Sequence, residues 1–121
     1  METNETSVGK LRLVAGGGYV QFFCPGCSDF HTIGVGNEVG PTWSYNQDPH
    51  FPTFSPSILY RSKQLVMKDG VWTGEFLRDG NGNPLSHICH SYVREGKIQF
   101  LMDCTHDLKG QTVELPEITN E

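Results

Sequence analysis

The chain has 121 residues, of which 36% are hydrophobic and 14 are glycine, and its formal net charge is −5. The lysines and arginines are scattered along it, which argues against nucleic acid as a partner because phosphate backbones are bound by clustered positive charge. No apolar stretch approaches the roughly 18 residues of a membrane span, and residues 1–10 lack the apolar segment of a secretory signal. We therefore expect a cytoplasmic protein, away from membranes, whose partner is another protein.

Short apolar runs separated by glycine-containing turns predict antiparallel hairpins. The polar residues 1–9 and 117–121 predict flexible tails, and no segment shows a sustained helical apolar period. We therefore predict a mainly β single domain over residues 10–116, with little or no helix. Strands are predicted over residues 11–15, 19–23, 30–35, 57–60, 64–67, 71–77, 88–93, 97–102 and 112–115.

The middle of the chain, residues 48–56, contains three prolines. Proline fixes φ and lacks an N–H donor, which excludes a helix or a central strand there. The segment is predicted to run extended over the surface. The aromatic residues around it fit either a core or a binding groove, and we take them as the candidate binding surface: Trp43, Phe51 and Phe54.

The sequence Cys24-Pro25-Gly26-Cys27 directly follows an apolar run. Two cysteines on such a turn can bind one zinc ion and form half of a tetrahedral site. In the cytoplasm a metal site is favoured over disulfides. The other two cysteines, Cys89 and Cys104, lie in the last third, so we predict that one Zn²⁺ joins the two parts and stabilises a domain with a small core.

The hairpin turn around Glu95 and Gly96 decides which ligands meet. A two-residue turn places Cys89 and Cys104 on one face and leaves either Cys89 or His87 as the fourth ligand. A three-residue loop shifts the register by one residue and exchanges the faces, which makes His90 the fourth ligand. The predicted metal ligands are therefore Cys24, Cys27 and Cys104, with Cys89 and His90 competing for the last position.

Ligands that are mostly cysteine predict a closed structural ion, since catalytic zinc keeps an open position for water. The chain has neither an HExxH motif nor a G-x-S-x-G nucleophile elbow. We therefore predict a non-enzymatic, zinc-stabilised module that binds a protein. The alternative is a metal-dependent hydrolase with an open site made of His90, Asp103 and His106.

The chain contains several ordered motifs, namely Phe22–Cys27, Trp43 with Pro52–Ile58, Cys89–Val93 with Gly96–Leu101, and Asp103–His106 with Gly110–Thr112. These motifs resemble a family of small phage and prophage proteins that are often labelled ammonia monooxygenase. We reject that label, because the enzyme is a membrane copper complex. The chain is also similar to small cysteine- and histidine-containing proteins encoded beside bacterial ubiquitin-like conjugation systems, through the CxxC, a Pro-Ser-Ile sequence and His90. The first resemblance implies an accessory or host-modulating protein in the infected bacterium's cytoplasm, with a metal at the shared Cys and His positions.

Overall fold

The computed structural model describes residues 5–14, 18–37 and 40–118, and over these residues the protein is all β. None of them lies in a helix with the length and apolarity needed to cross a bilayer. The described strands are β1 (Glu5–Val8), β2 (Leu11–Val14), β3 (Tyr19–Cys24), β4 (Asp29–Gly34), β5 (Ser44–Tyr45), β6 (Phe54–Lys63), β7 (Leu65–Lys68), β8 (Val71–Phe76), β9 (Ser86–Arg94), β10 (Lys97–Phe100) and β11 (Thr112–Glu114).

The strands form two larger antiparallel sheets and one separate hairpin. The first sheet has the order β1-β2-β3-β4, the second has the order β11-β10-β9-β6-β5, and β7 pairs with β8 alone. Both larger sheets contribute side chains to one core, and alternate residues of β3 are buried, as expected for a strand with one face inward. The buried hydrophobic residues are Leu11, Val20, Phe22, Cys24, Ile33, Phe54, Ile58, Cys89, Val93, Ile98, Phe100, Cys104 and Leu115.

The predicted β fold is confirmed, but three segments differ from expectation. Ser44–Tyr45, for which no strand is predicted, forms β5 and pairs with β6. Glu5–Val8, predicted as part of a flexible tail, pairs with β2 as a strand; residues 1–4 and 119–121 lie outside the described part of the chain. Strand β6 begins at Phe54 and so includes Pro56, although the prolines predict no central strand there and β6 lies between β9 and β5. Pro56 is tolerated because the register shifts between Phe54 and Ile58, and such a bulge does not need its N–H.

The turn between β9 and β10 is the two-residue turn, with φ of 50° at Glu95 and 80° at Gly96. Glutamate does not favour a positive φ, but neighbouring segments hold this turn in place. The Glu95 amide donates to Thr53 Oγ1 at 2.8 Å, and the Gly96 amide donates to the carbonyl oxygen of Pro52 at 2.9 Å. The register therefore pairs Val93 with Ile98, and the three-residue alternative is wrong.

This register separates the two faces of β9. Cys89, Ser91 and Val93 are buried in the core, whereas the alternating residues His90 and Tyr92 are only partly buried. Successive side chains of a strand point to opposite faces. The side chains of Cys89 and His90 therefore lie on opposite faces of the sheet, although the two residues are adjacent in the chain.

Candidate active site and metal centre

On the outer face of β9, the His90 imidazole lies between a hydroxyl and a carboxylate. Its Nε2 is 3.1 Å from Ser57 Oγ, and its Nδ1 is 3.1 Å from Asp103 Oδ2. The side chain of His90 is 26% exposed, so this arrangement is reached from solvent. The order serine, histidine, aspartate, with one imidazole nitrogen to each neighbour, is the geometry of a serine-hydrolase triad.

Each of these three residues is positioned by a different structural feature. Ser57 lies in the bulge of β6, and bulges re-aim side chains next to active sites. His90 lies in the middle of β9, directly opposite Leu59. Asp103 lies in the turn after β10, where the Cys104 amide donates to the carbonyl oxygen of Leu101. The three residues meet only because these features pack together.

Cys104 connects the aspartate turn to the backbone of His90. The His90 amide donates to Cys104 Sγ at 3.2 Å, and the thiol donates to the His90 carbonyl oxygen at 3.2 Å. Cys104 is buried, so water does not compete for these bonds. Cys104 therefore holds the adjacent residue Asp103 in position beside the His90 imidazole.

A second cluster lies on the opposite, inward face. Cys24 and Cys27 come from the end of β3 and the following turn, His31 comes from β4, and Cys89 comes from β9. One ligand atom from each of the four lies within 4.8 Å of the others. Three thiols and one imidazole form a donor set suited to a soft or borderline divalent ion, and these residues could hold one.

One distance and one buried histidine support a metal site. The Sγ atoms of Cys24 and Cys89 are 3.8 Å apart. Two thiolates about 2.3 Å from one ion at the tetrahedral angle would lie about 3.8 Å apart. His31 is 4% exposed, and neither of its ring nitrogens has a hydrogen-bond partner among the described residues. Buried polar atoms are nearly always paired, so an ion is a natural partner for this imidazole.

The three cysteine thiols of the inner cluster differ in pKa. Hydrogen bonds from Cys27 and then Cys89 hold the pKa of Cys24 far below its usual range. The same contact with Cys24 raises the pKa of Cys27 to about 12, and Cys24 is also the main cause of the raised pKa of Cys89. One sulfur is thus favoured as a thiolate, and a bound cation would favour the thiolate form of all three.

Two further histidines surround the cluster. His87 Nε2 is 3.1 Å from Cys27 Sγ, and His106 Nε2 is 3.4 Å from Cys89 Sγ. Burial lowers the pKa of His106, which keeps its imidazole neutral. A Cβ at Gly26 would overlap the His106 ring, so any other residue here would displace that ring. The Cys-Pro-Gly-Cys turn and His106 therefore pack directly against each other.

The predicted metal ligands do not all meet. Cys24, Cys27 and Cys89 come together, and the fourth member of the group is His31. The proposed fourth ligand His90 contacts Ser57 and Asp103 instead, on the other face of the sheet. Cys104 forms a separate group with Cys89 and His106. These positions follow from the alternation of β9 and the two-residue turn, which turn His90 outward.

The residues of the alternative open metal site also separate. His90 and Asp103 contact each other, whereas His106 Nε2 faces Cys89 on the inward side. The three side chains therefore do not converge on one position.

The three aromatic residues of the candidate binding surface have different environments. Phe54 is 2% exposed and belongs to the core, so its ring is not available to a partner. Trp43 packs partly buried against the core, and its indole N–H donates to the carbonyl oxygen of Ser57 at 3.2 Å. Phe51 is 57% exposed. The segment is therefore largely structural, and Trp43 supports the bulge of β6 that carries Ser57.

Two residues of these sites have no strong signal in the sequence. Ser57 is not flanked by the glycines of a nucleophile elbow, and its only signal in the sequence is the Pro-Ser-Ile similarity. His31 follows Cys27 by four residues, but a lone histidine on a strand is more often a hydrogen-bonded residue. Its burial without a partner is visible only in the folded protein.

A protein-family model described as "Bacterial ubiquitination-like system serine protease (BubE)" matches residues 2–101 of the chain. The matched range includes Ser57 and His90 and ends two residues before Asp103. It fits the similarity to proteins of ubiquitin-like conjugation systems, and it does not show a phage or prophage origin. No curated protein and no solved structure matches the chain.

Proposed function

Because this chain belongs to the BubE family of bacterial ubiquitination-like system serine proteases, we propose that it is a serine protease with Ser57 as its nucleophile. In this proposal His90 is the general base and Asp103 orients it. The observation that carries the proposal is the pair of 3.1 Å contacts that place the His90 imidazole between Ser57 Oγ and the Asp103 carboxylate. This assignment replaces the non-enzymatic binding module that the cysteine content suggested.

The contacts assign a role to each nitrogen of His90. With the proton on Nδ1 donated to Asp103, Nε2 is left to accept the hydroxyl proton of Ser57. Ser57 Oγ attacks the carbonyl carbon of the scissile peptide bond while its proton passes to Nε2. The resulting imidazolium, stabilised by Asp103, then gives this proton to the leaving amine as the C–N bond breaks. Water hydrolyses the acyl-serine in a second, equivalent cycle.

The metal in the inner cluster is proposed to be a structural zinc ion. The ligands would be Cys24, Cys27, Cys89 and His31, a set typical of closed four-coordinate sites. Such an ion would cross-link β3, β4 and β9 behind the triad. It would hold Cys89 in place, and thereby its neighbour His90, without taking part in bond cleavage.

The substrate is proposed to be a polypeptide of the ubiquitination-like system that the family description names. Proteins of such systems are substrates for a protease wherever a precursor must be trimmed or a conjugate must be cut. The site of action is proposed to be the bacterial cytoplasm.

A fluorophosphonate tests the proposed function directly. This small reagent phosphonylates an activated serine and needs no knowledge of the natural substrate. We expect one adduct on the intact protein, mapped by mass spectrometry to Ser57, together with the loss of any cleavage of a proteome-derived peptide library. An unmodified Ser57, or an adduct confined to another residue, would overturn the proposal.

Replacing Asp103 by asparagine is expected to slow fluorophosphonate labelling about a hundredfold. The asparagine amide would favour the wrong imidazole tautomer, and the effect is large when an aspartate is buried. The side chain of Asp103 is 55% exposed, so water should replace part of its contribution. Asp107→Asn, which changes another exposed aspartate of the segment between β10 and β11, is the matched control and should label at the wild-type rate. Equal rates for both variants would show that Asp103 does not orient His90.

A further inference from the structure

One edge of β6 is open immediately after the nucleophile. Along this edge β5 pairs only with Ser55 and Phe54. Next along the edge, the indole N–H of Trp43 donates to the carbonyl oxygen of Ser57. From Ile58 to Lys63 the strand pairs with β9 on its other side, and no strand of the described residues covers the first edge.

The backbone groups that face this edge can be identified from β9. The amide and carbonyl of His90 bond to Cys104 Sγ and to the Leu101 amide, and those of Ile88 bond to Thr105. Both residues therefore direct their backbone away from β6, which makes their pairings with β6 the non-hydrogen-bonded type. Their opposite residues, Leu59 and Arg61, must direct their own N–H and C=O outward. No described residue pairs with these groups.

The same edge carries positive charge on the face of the triad. Arg61 and Lys63 lie opposite Ile88 and Ser86, on the side of the sheet where Leu59 faces His90. With Ser62 between them, these residues line a cleft of about 380 Å³. Both cations are exposed, and among the described residues neither has a carboxylate within ion-pair distance. From Ser57 the cleft begins about 13 Å along the strand, since each residue advances about 3.3 Å.

Resting on the proposed function, we infer that the substrate binds as an added strand on the open edge of β6 and carries acidic side chains. The outward groups of Leu59 and Arg61 pair with the backbone of this segment, as in other cases of strand addition. Its carboxylates lie against Arg61 and Lys63, about four to six residues from the scissile bond. The substrate class is thus an extended acidic segment, such as a tail or linker, and not a folded surface.

The positive charges of Arg61 and Lys63 also favour a substrate over a second copy of this chain as the occupant of the open edge of β6. Two copies paired edge to edge would bring their Arg61 and Lys63 side chains together, and like charges on adjacent strands are destabilising. A peptide with carboxylates at alternate positions would gain from the same cations. The occupant is therefore a polypeptide of opposite charge.

The test measures binding to the full-length Ser57→Ala protein, which cannot cleave the probe. The probe is a fluorescein-labelled ten-residue peptide in which threonine and glutamate alternate, and its affinity is read by fluorescence anisotropy. We expect a peptide with lysine in place of glutamate to bind at least about tenfold more weakly, and Arg61→Ala and Lys63→Ala each to weaken binding about threefold. Lys68→Ala, an exposed cation on the β7–β8 hairpin, should leave the affinity unchanged.

A second comparison isolates the backbone contribution. Arg61→Pro removes the outward N–H but no bond to β9, and we expect it to bind about fivefold more weakly than Arg61→Ala. If Arg61→Pro fails to fold by circular dichroism, the same contact is tested with a probe N-methylated at consecutive positions, which should not bind. Equal binding of the glutamate and lysine probes, or of the methylated and unmodified probes, would overturn the inference. So would self-association that Arg61→Pro abolishes.

These outcomes are separate from those for the proposed function. Failure of fluorophosphonate labelling removes Ser57 as the nucleophile, whereas the anisotropy measurement reports on the edge of β6 alone.

Discussion

Replacing Ser57 by alanine is expected to abolish fluorophosphonate labelling and to reduce peptide cleavage at least about a thousandfold, with the fold intact. Removing a triad nucleophile eliminates the covalent route, and the residual rate reflects substrate binding and polar groups around the carbonyl. Ser57 is only partly buried and its side chain contacts His90 across the surface of the sheet. An alanine there leaves no cavity in the core, so stability should change little.

Ser55→Ala is the matched control for this experiment. Ser55 is exposed and lies two residues before Ser57 in the same bulged segment. The control should label and cleave like the wild-type protein. Cleavage that survives Ser57→Ala, or that is lost equally in Ser55→Ala, would contradict the assignment of Ser57 as the nucleophile.

Removal of the zinc ion proposed for the inner cluster is expected to unfold the protein and to abolish labelling of Ser57 at the same time. Binding of structural zinc to small zinc-finger peptides contributes about 10–16 kcal/mol, as much as the whole stability of a typical domain, about 5–15 kcal/mol. The core of this chain is small, with three of its buried positions taken by cysteines. Cys89 and His90 are consecutive in β9, so loss of the inner cluster should also displace the base.

The measurement combines elemental analysis of the native protein with circular dichroism before and after a strong chelator. We expect one equivalent of zinc and a loss of β structure on chelation. His31→Ala should lower zinc affinity at least about a hundredfold, because a direct ligand contributes more than an outer-shell partner, whose loss costs 10- to 100-fold. His50→Ala, an exposed histidine outside the cluster, is the matched control.

A metal-free protein that stays folded with the chelator would show that the inner cluster is not a metal site. Equal zinc content in His31→Ala and His50→Ala would remove His31 from the ligand set, and His106 or His87 would then be the fourth ligand.

Most of the strands and the first half of the candidate metal cluster could be predicted from the sequence. Alternating apolar residues between glycine-containing turns predict hairpins because both the side-chain period and the turn geometry are local properties. The Cys24–Cys27 turn is local in the same sense, since its short spacing alone brings two sulfurs near one point.

The remaining site residues depend on contacts between distant segments. Ser57 and His90 are 33 residues apart and Asp103 is 13 residues further on, so no spacing relates them. Their meeting depends on the bulge of β6 and on the register of β9 with β10. The sequence leaves this register undecided, because glutamate at position 95 disfavours the two-residue turn. Hydrogen bonds of the turn to Thr53 and Pro52 decide the register in the folded protein.

His31 became a candidate ligand for a similar reason. Packing of the two sheets buries its ring beside Cys24 and Cys89, with no hydrogen-bond partner among the residues that the structure describes, and no local pattern reports on such packing. The sequence by itself determined the hairpins and the cysteine turn, since these follow from the preferences of neighbouring residues. Only the tertiary structure decided which face of β9 each residue occupies, because one residue of register exchanges the two faces.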